Sequence, residues 1–465
     1  MKEYIMNTLT GRISWSSCFK QTMLLALPVL GAHIIEALIP FINITLAATQ
    51  GEASLAAAGL VGSTFLALMG FCWGVTASVG IIAANKIGEG ETGARIGLIL
   101  WAGFFTTLVL SVPVMVIFGM MDKLWLSFGQ DAEVVTQAKQ YMSGLLLAVP
   151  ADLAKFAIFQ FAIACGKPRI PLIANIISIP VLVSLSYVLV PAYGMYGIGL
   201  GTAITYWAVF SAMLVYLLLN PVFKNYLLHR HTIKEYVSTL AAQLKLGVPI
   251  GMMFSIELIF FMVLTLLMGY LGSTVLAANQ IAMQWMWLTV MFVYGFTEAV
   301  TILVAKANGA KDRQQVIQFT NTGISLAAFC MLAVACVYWL MPELVISLDV
   351  ANTAENAGLI QLAIKLLMFC GVYQILDCLR IVTSGALRGM EDSQYPMWVA
   401  ALTFWAIGLP IGYGCAFIMG MGAAGLWIGL ISAVLVSTSL QYSRLMRKVA
   451  DVDEGASGSV MAEEV

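Results

Sequence analysis

Five carboxylates stand where charge is costly. Glu36, Asp152, Glu257, Glu298 and Asp377 lie in long apolar runs, and Glu257, in "FSIELIFF", is the only charged residue between Lys245 and Glu298. A charge at a bilayer centre costs on the order of 3 kcal/mol on insertion scales, so such a group ordinarily faces a cavity or a partner. The chemistry open to it is cation binding: a buried carboxylate takes up a proton, or holds a bare Na⁺ with help from carbonyl oxygens. The competing reading is a permanently protonated acid hydrogen-bonded to a neighbouring helix. Glu257 and Asp377 are the strongest candidates for a cation site. Asp377 has Arg380 one turn away, and Asp152 with Lys155 repeats that spacing. An i,i+3 ion pair in each half is therefore a structural alternative, since a partner of opposite charge makes burial tolerable. Glu298 is either a functional acid or a neutral one near a helix end.

The surrounding chain has to be lipid-soluble. Of 465 residues, 61% are hydrophobic and 10% charged, with a mean hydropathy of +0.92. A soluble domain carries about 25% charged residues, so the bilayer is the solvent that fits. The net charge of −1 offers no basic field for nucleic acid. The polar start, "MKEYIMNTLTGRISWSSCFKQT", does not read as a signal peptide. Eight scattered cysteines form no C-x-x-C pair and read as small hydrophobes. His33, His229 and His231 make no ligand cluster, and the last two fall in a polar connector. No His–acid, Cys–His or metal-spaced set suggests catalysis, so the chain reads as a non-enzyme.

Twelve apolar runs of spanning length start near residues 20, 54, 95, 134, 170, 196, 239, 276, 316, 356, 394 and 422. The most polar break, "NPVFKNYLLHRHTIKEYV" at 220–237, follows the sixth. Of 23 basic residues, 18 fall in even-numbered breaks and at the termini, and only Lys123 and Lys139 in odd-numbered ones. The positive-inside rule then places both termini in the cytoplasm. The expected organisation is a cytoplasmic N-terminal segment (1–19), an N-terminal six-helix lobe (20–219), a cytoplasmic linker (220–237), a C-terminal six-helix lobe (238–448) and a disordered acidic tail (449–465).

The two lobes repeat one another. At a shift of 221, Pro28 falls on Pro249, Leu55 on Leu276, Gly74 on Gly295 and Gly88 on Gly309. Further along, the shift grows to 226, where Met195 and Gly199 meet Met421 and Gly425. The expected fold is an all-α integral membrane protein with twelve transmembrane helices in two pseudo-symmetric six-helix bundles. Repeats of this parallel kind are common in transporters, with the substrate site between halves that rock. Glu36 is the twin of Glu257, and Asp152 with Lys155 is the twin of Asp377 with Arg380 at 225; Glu298 has Ala77 at its repeat position. The stretch "ANQIAMQWMWLTVMF" (278–292) is rich in aromatic and Met side chains, as a cavity wall for flat, greasy cations would be. Gln280, Trp285, Phe254, Asn43 and Glu298 are the residues assigned to that cavity.

The stretches "LKLGVPIGMMFSIELIFF", "LGSTVLAANQIAMQW" and "YQILDCLRIVTSGALRGMEDSQYP" resemble the multidrug and toxic compound extrusion (MATE) family, and the last is similar to the tenth-helix signature of its NorM-like branch. The resemblance implies cation coupling at Glu257 and Asp377, with Tyr373 beside them and Gln280 in the eighth-helix "Q-I-A" stretch. Both acids would ligate the ion if it is Na⁺. It also implies secondary antiport: Na⁺ or H⁺ enters, and cationic or amphipathic drugs leave, by alternating access of two lobes. No permanently bound cofactor is implied. The expected setting is the bacterial inner membrane, with the lipid bilayer and small-molecule drugs as partners and the chain acting as a monomer. The sequence departs from the family at "FINIT", where Asn43 replaces a common first-helix Asp, and at "ISIP", which lacks a fifth-helix Asn. Glu36 lies seven residues before Asn43, on roughly the same helix face. These departures favour the C-terminal lobe for coupling and make Glu36 a second, lineage-particular site. The alternative function is a lipid-linked oligosaccharide flippase of the same superfamily, which needs free cationic side chains for a pyrophosphate. Only Lys155, Lys365 and Arg380 are available within or at the edge of the spans.

Overall fold

The computed structural model describes residues 15–227, 231–351 and 353–462, with side chains at 222, 225, 227 and 451–462 outside the description. Residues 1–14 of the N-terminal segment, and His229 in the connector, lie outside the described residues. Among the described residues there is no strand. The helices are α1 (Trp15–Ala48), α2 (Glu52–Thr76), α3 (Ser78–Gly88), α4 (Ala94–Gly119), α5 (Met121–Ser127), α6 (Ala132–Leu146), α7 (Val149–Ala164), α8 (Arg169–Leu219) and α9 (Pro221–Leu227). They continue as α10 (Ile233–Tyr270), α11 (Ser273–Gly309), α12 (Arg313–Leu340), α13 (Pro342–Ser347), α14 (Ala357–Gly389), α15 (Gln394–Ala400), α16 (Leu409–Tyr413) and α17 (Ala423–Ala462). Two π-helical stretches, Ala401–Gly408 and Gly414–Ile418, flank α16 and make one span of 394–418.

Among the described residues, ten helices are long and apolar enough to cross a bilayer, or eleven if α6 and α7, bent by 49°, are one broken span. Twelve is reached only if α8 crosses twice. At 51 residues α8 would run about 77 Å as one rod, against about 30 Å of hydrocarbon. It breaks at Gly194, whose φ of 54° and ψ of −132° are open to glycine but not to a side chain. The long elements begin within two turns of the starts read from hydropathy. The connector at 220–237 is partly helical, holding α9 and the first turn of α10. α17 runs on to Ala462, into the stretch expected to be a disordered tail.

The chain forms two compact units, Gly31–Ser255 and the set Met1–Leu30 with Ile256–Val465. The division runs through α1 and α10, a few residues after Pro28 and Pro249, rather than through the connector. In the first unit α8 packs on α6 and α7, and α4 packs on α7. Outside the spans, a hydrogen bond from Lys139 holds the Asp122 carboxyl below the usual carboxylate range and ties α5 to α6 at 2.7 Å. In the second unit α14 is central, in contact with α11, α12 and α17.

Left-handed backbone positions recur in the two units at the offsets of the sequence repeat. Gly51 and Gly272 precede α2 and α11; Gly90 answers to Lys311, Gly166 to Glu391, and Gly194 to Gly420. Close approach of α14 to α11 explains the glycines of the "G-A-L-R-G" stretch. A Cβ on Gly385 would stand 2.5 Å from Thr297 Cγ2, and one on Gly389 would stand 2.6 Å from the Thr301 carbonyl oxygen. Gly385→Val should therefore cost about 1–3 kcal/mol by overpacking. Thermal unfolding of the purified protein in detergent checks this, and a wild-type melting temperature would contradict the packing described.

Candidate functional site

Glu257 on α10 and Asp377 on α14 are drawn together by Arg380, one turn after Asp377 on the same helix. Arg380 Nη1 donates to Glu257 Oε1 at 2.6 Å, Nη2 to Oε2 at 3.3 Å, and Nε to Asp377 Oδ1 at 2.6 Å. A planar guanidinium fork suits this double grip. All three residues are buried. The π-helical stretch Ala401–Gly408 brings Phe404 beneath the guanidinium, 5.3 Å from Cζ to the ring centre. Arginine stays charged in proteins. The triad thus sets two acids against one base, and a second base of the same helix, Arg388, lies near enough to Glu257 to interact with it electrostatically.

The other unit holds the same arrangement. Lys155 Nζ lies 2.7 Å from Glu36 Oε1 and 3.1 Å from Asp152 Oδ1. Asp152 also accepts from Trp73 Nε1 at 2.8 Å, and the ammonium stands 4.1 Å over the Tyr206 ring. Lys155 and Asp152 are as buried as their counterparts, but the Glu36 side chain is 28% exposed against 10% for Glu257, so it is the more reachable acid. Each unit thus contains an acid from its first long helix and an acid–x–x–base set from its fourth, with the base between the acids.

The i,i+3 pairs are legible in sequence; the second grip of each base is not. It follows only when the offset of the Glu pair and that of the Asp–base pairs are combined. Glu257 and Asp377, expected to ligate the ion if it is Na⁺, each give an oxygen to Arg380. Tyr373 is buried, faces Trp427 edge-on at 6.1 Å, and lines a chamber of about 20 Å³ with Glu257, Asp377, Arg380 and Tyr294. Gln374, which the sequence reading passed over, lines the same chamber and is held by the Met286 carbonyl at 3.1 Å and by Thr289.

The residues assigned to a substrate cavity fall in both units. Gln280 lines a larger cleft in the same unit. Trp285 lines neither cavity: its indole donates to Asp349 Oδ2 at 2.7 Å. Trp287 stands where Trp285 was expected, because 280, 283, 284 and 287 share a helix face that 285 does not. Glu298 is half-buried on α11, one turn beyond Tyr294 and outside the chamber lining. Asn43 is buried and donates to Thr202 Oγ1 at 3.0 Å, bracing α1 on α8. Phe254 falls before the division at Ser255, in the other unit, and lines neither cavity.

Removing one base leaves two buried carboxylates without their cation. Arg380→Met and Lys155→Met should each destabilise by about 3–5 kcal/mol. Adding Glu257→Gln with Asp377→Asn, or Glu36→Gln with Asp152→Asn, should restore most of the loss. Melting temperatures in detergent read both steps, and an Arg380→Met protein as stable as wild type would contradict the bridge.

Residues 28–188 and 249–414 match the sequence model of the MatE family. The probable multidrug resistance protein NorM of Pseudomonas aeruginosa is 29% identical over 423 residues, covering 88% of this chain and 86% of that protein. Its namesake in Mesorhizobium japonicum is 27% identical over 443 residues, covering 93% and 95%. Among solved structures, the eukaryotic MATE transporter AtDTX14 superposes with a TM-score of 0.84 at 16% identity, covering 95% of this chain and 99% of that one. At that identity the likeness is one of fold.

Proposed function

Because the chain belongs to the MatE family, we propose that it is a secondary active multidrug efflux antiporter, exporting cationic or amphipathic drugs in exchange for Na⁺ or H⁺. The observation that carries this reading is the buried Glu257–Arg380–Asp377 triad, two acids to one base, lining a chamber of about 20 Å³. A lone buried charge of either sign is costly. Two acids against one base leave room for one further monovalent cation at the triad. Asp377 receives it: Arg380 holds Oδ1, and Tyr373 stands beside the carboxylate in the chamber. A cationic drug near the same charge makes the coupling ion less favourable there, and the reverse. This mutual exclusion is what antiport requires.

The Glu36–Lys155–Asp152 triad supports a second cation site in the other unit. The proposed setting is the inner membrane of a bacterium, in keeping with the organisms of the NorM relatives, with both termini cytoplasmic as the basic residues suggest. Alternating access of two lobes is the proposed cycle, and a monomer its unit. The flippase alternative needs basic side chains free for a pyrophosphate; of the three named above, Lys155 and Arg380 are each engaged with two carboxylates, which leaves the exposed Lys365.

In proteoliposomes, an imposed pH gradient or an imposed Na⁺ gradient should drive ethidium movement, and Glu257→Gln should abolish the driven component. If neither gradient moves a cationic dye in wild type, the antiport reading falls. Glu36→Gln should slow transport or change its ion dependence; unchanged rate and ion dependence would remove the second site.

A further inference from the structure

α11 and α14 lie side by side and run in the same direction: a Cβ on Gly385 would meet Thr297, and one on Gly389 would meet Thr301. For two parallel right-handed helices, the residue after a contact on the first and the residue before a contact on the second fall on the same side of the seam. Glu298 follows Thr297, and Ser384 and Arg388 precede the two glycines. The triad chamber lies on that side as well, lined by Tyr294 of α11 with Tyr373, Asp377 and Arg380 of α14. Tyr294 and Glu298 are one turn apart, as are Arg380, Ser384 and Arg388. A line of polar side chains therefore leads from the chamber towards the ends of the two helices, about 16 Å along the axis from Asp377 to Arg388. The basic residues Lys306, Lys311 and Arg313 point to the cytoplasm as the side where it ends. Glu298 is half-buried, where Glu257 and Asp377 are buried. Arg388 interacts electrostatically with Glu257, Tyr294 and Glu298, and its Nε is buried without a hydrogen-bond partner.

We propose that Glu298 is the release station through which the coupling cation leaves the Glu257–Arg380–Asp377 triad for the cytoplasm, and that Arg388 drives the transfer. A buried N–H donor without a partner is costly, so the Arg388 guanidinium gains by closing on a carboxylate. Helical side chains lean towards the N-terminus, which directs Arg388 back along α14 to the triad. Closing on Glu257 sets two bases against two acids and removes the room for a further cation. The next acid along the line is Glu298, more open to water than either triad acid. It takes up the proton, or holds the Na⁺, on the way out. Ala77 and Cys165 stand at the repeat positions of Glu298 and Arg388, so this exit is a feature of the C-terminal unit. The station deepens the antiport reading and rests on it.

The test separates net transport from exchange, with the full-length protein in proteoliposomes and ethidium as the transported cation. Exchange of ethidium for ethidium does not require the coupling cation to leave; uphill movement driven by a pH or Na⁺ gradient does. Glu298→Gln and Arg388→Gln should each slow driven movement roughly tenfold, as a modest rise in one barrier does, with exchange within about twofold of wild type. Retained exchange shows that the variants are folded. Glu298→Asp, which keeps the carboxylate, should recover most of the driven rate. If Glu298→Gln is driven as fast as wild type, the station falls and the antiport reading stands. Equal loss of driven movement and exchange, or no recovery in Glu298→Asp, also overturns the station. If wild type exchanges ethidium but neither gradient drives it, the antiport reading falls and takes the station with it.

Discussion

A basic side chain held between two carboxylates constrains each unit of this molecule. In the C-terminal unit Arg380 grips Glu257 with one edge of its guanidinium and Asp377 with another. Arg380 makes the burial of both acids among apolar helices tolerable, and they do the same for it. Two acids and one base leave a charge unbalanced. The helix that carries the base is also the centre of its unit, and the bridge ties α10 to it. Membrane helices gain little from apolar contact with one another, since lipid is equally apolar. Polar bridges and close backbone approach therefore take a larger share. The glycines at 385 and 389 supply the second of these for the same helix.

Duplication explains why the arrangement occurs twice. The left-handed turns at Gly51 and Gly272, and at Gly194 and Gly420, keep the offsets of the sequence repeat, as do the members of the triads. Where the repeat has drifted, the backbone keeps its conformation at some cost. Lys311 and Glu391 hold positive φ angles at places where Gly90 and Gly166 stand in the other half. The triads have drifted as well: a lysine over a tyrosine ring in one, an arginine over a phenylalanine in the other.

Much of this was legible before any coordinates. Apolar runs gave the helices, because spanning length is fixed by the bilayer. The i,i+3 pairs at Asp152 and Asp377 were visible, because helical spacing is local. What a sequence does not carry is the rotation of one helix against another. That rotation decides that Arg380 reaches Glu257 and that Lys155 reaches Glu36. It also decides that Trp287 lines the cleft while Trp285 meets Asp349, and that Asn43 meets Thr202. Two apolar runs, starting near 170 and 196, imply a break but not its form, and the backbone makes it a single glycine turn. The connector at 220–237 looked like the natural divide of the chain, yet the compact units are cut inside α1 and α10.

The central claim is that an organic cation and a coupling cation compete for the excess charge of the C-terminal triad. The most direct measurement is cation release on ligand binding. Purified protein in weakly buffered detergent is titrated with ethidium while proton release and, separately, displacement of radioactive Na⁺ are followed. The account predicts that ethidium binding expels one or the other ion from wild type, and that the release disappears in Asp377→Asn. Ethidium that binds wild type and releases neither ion would contradict it.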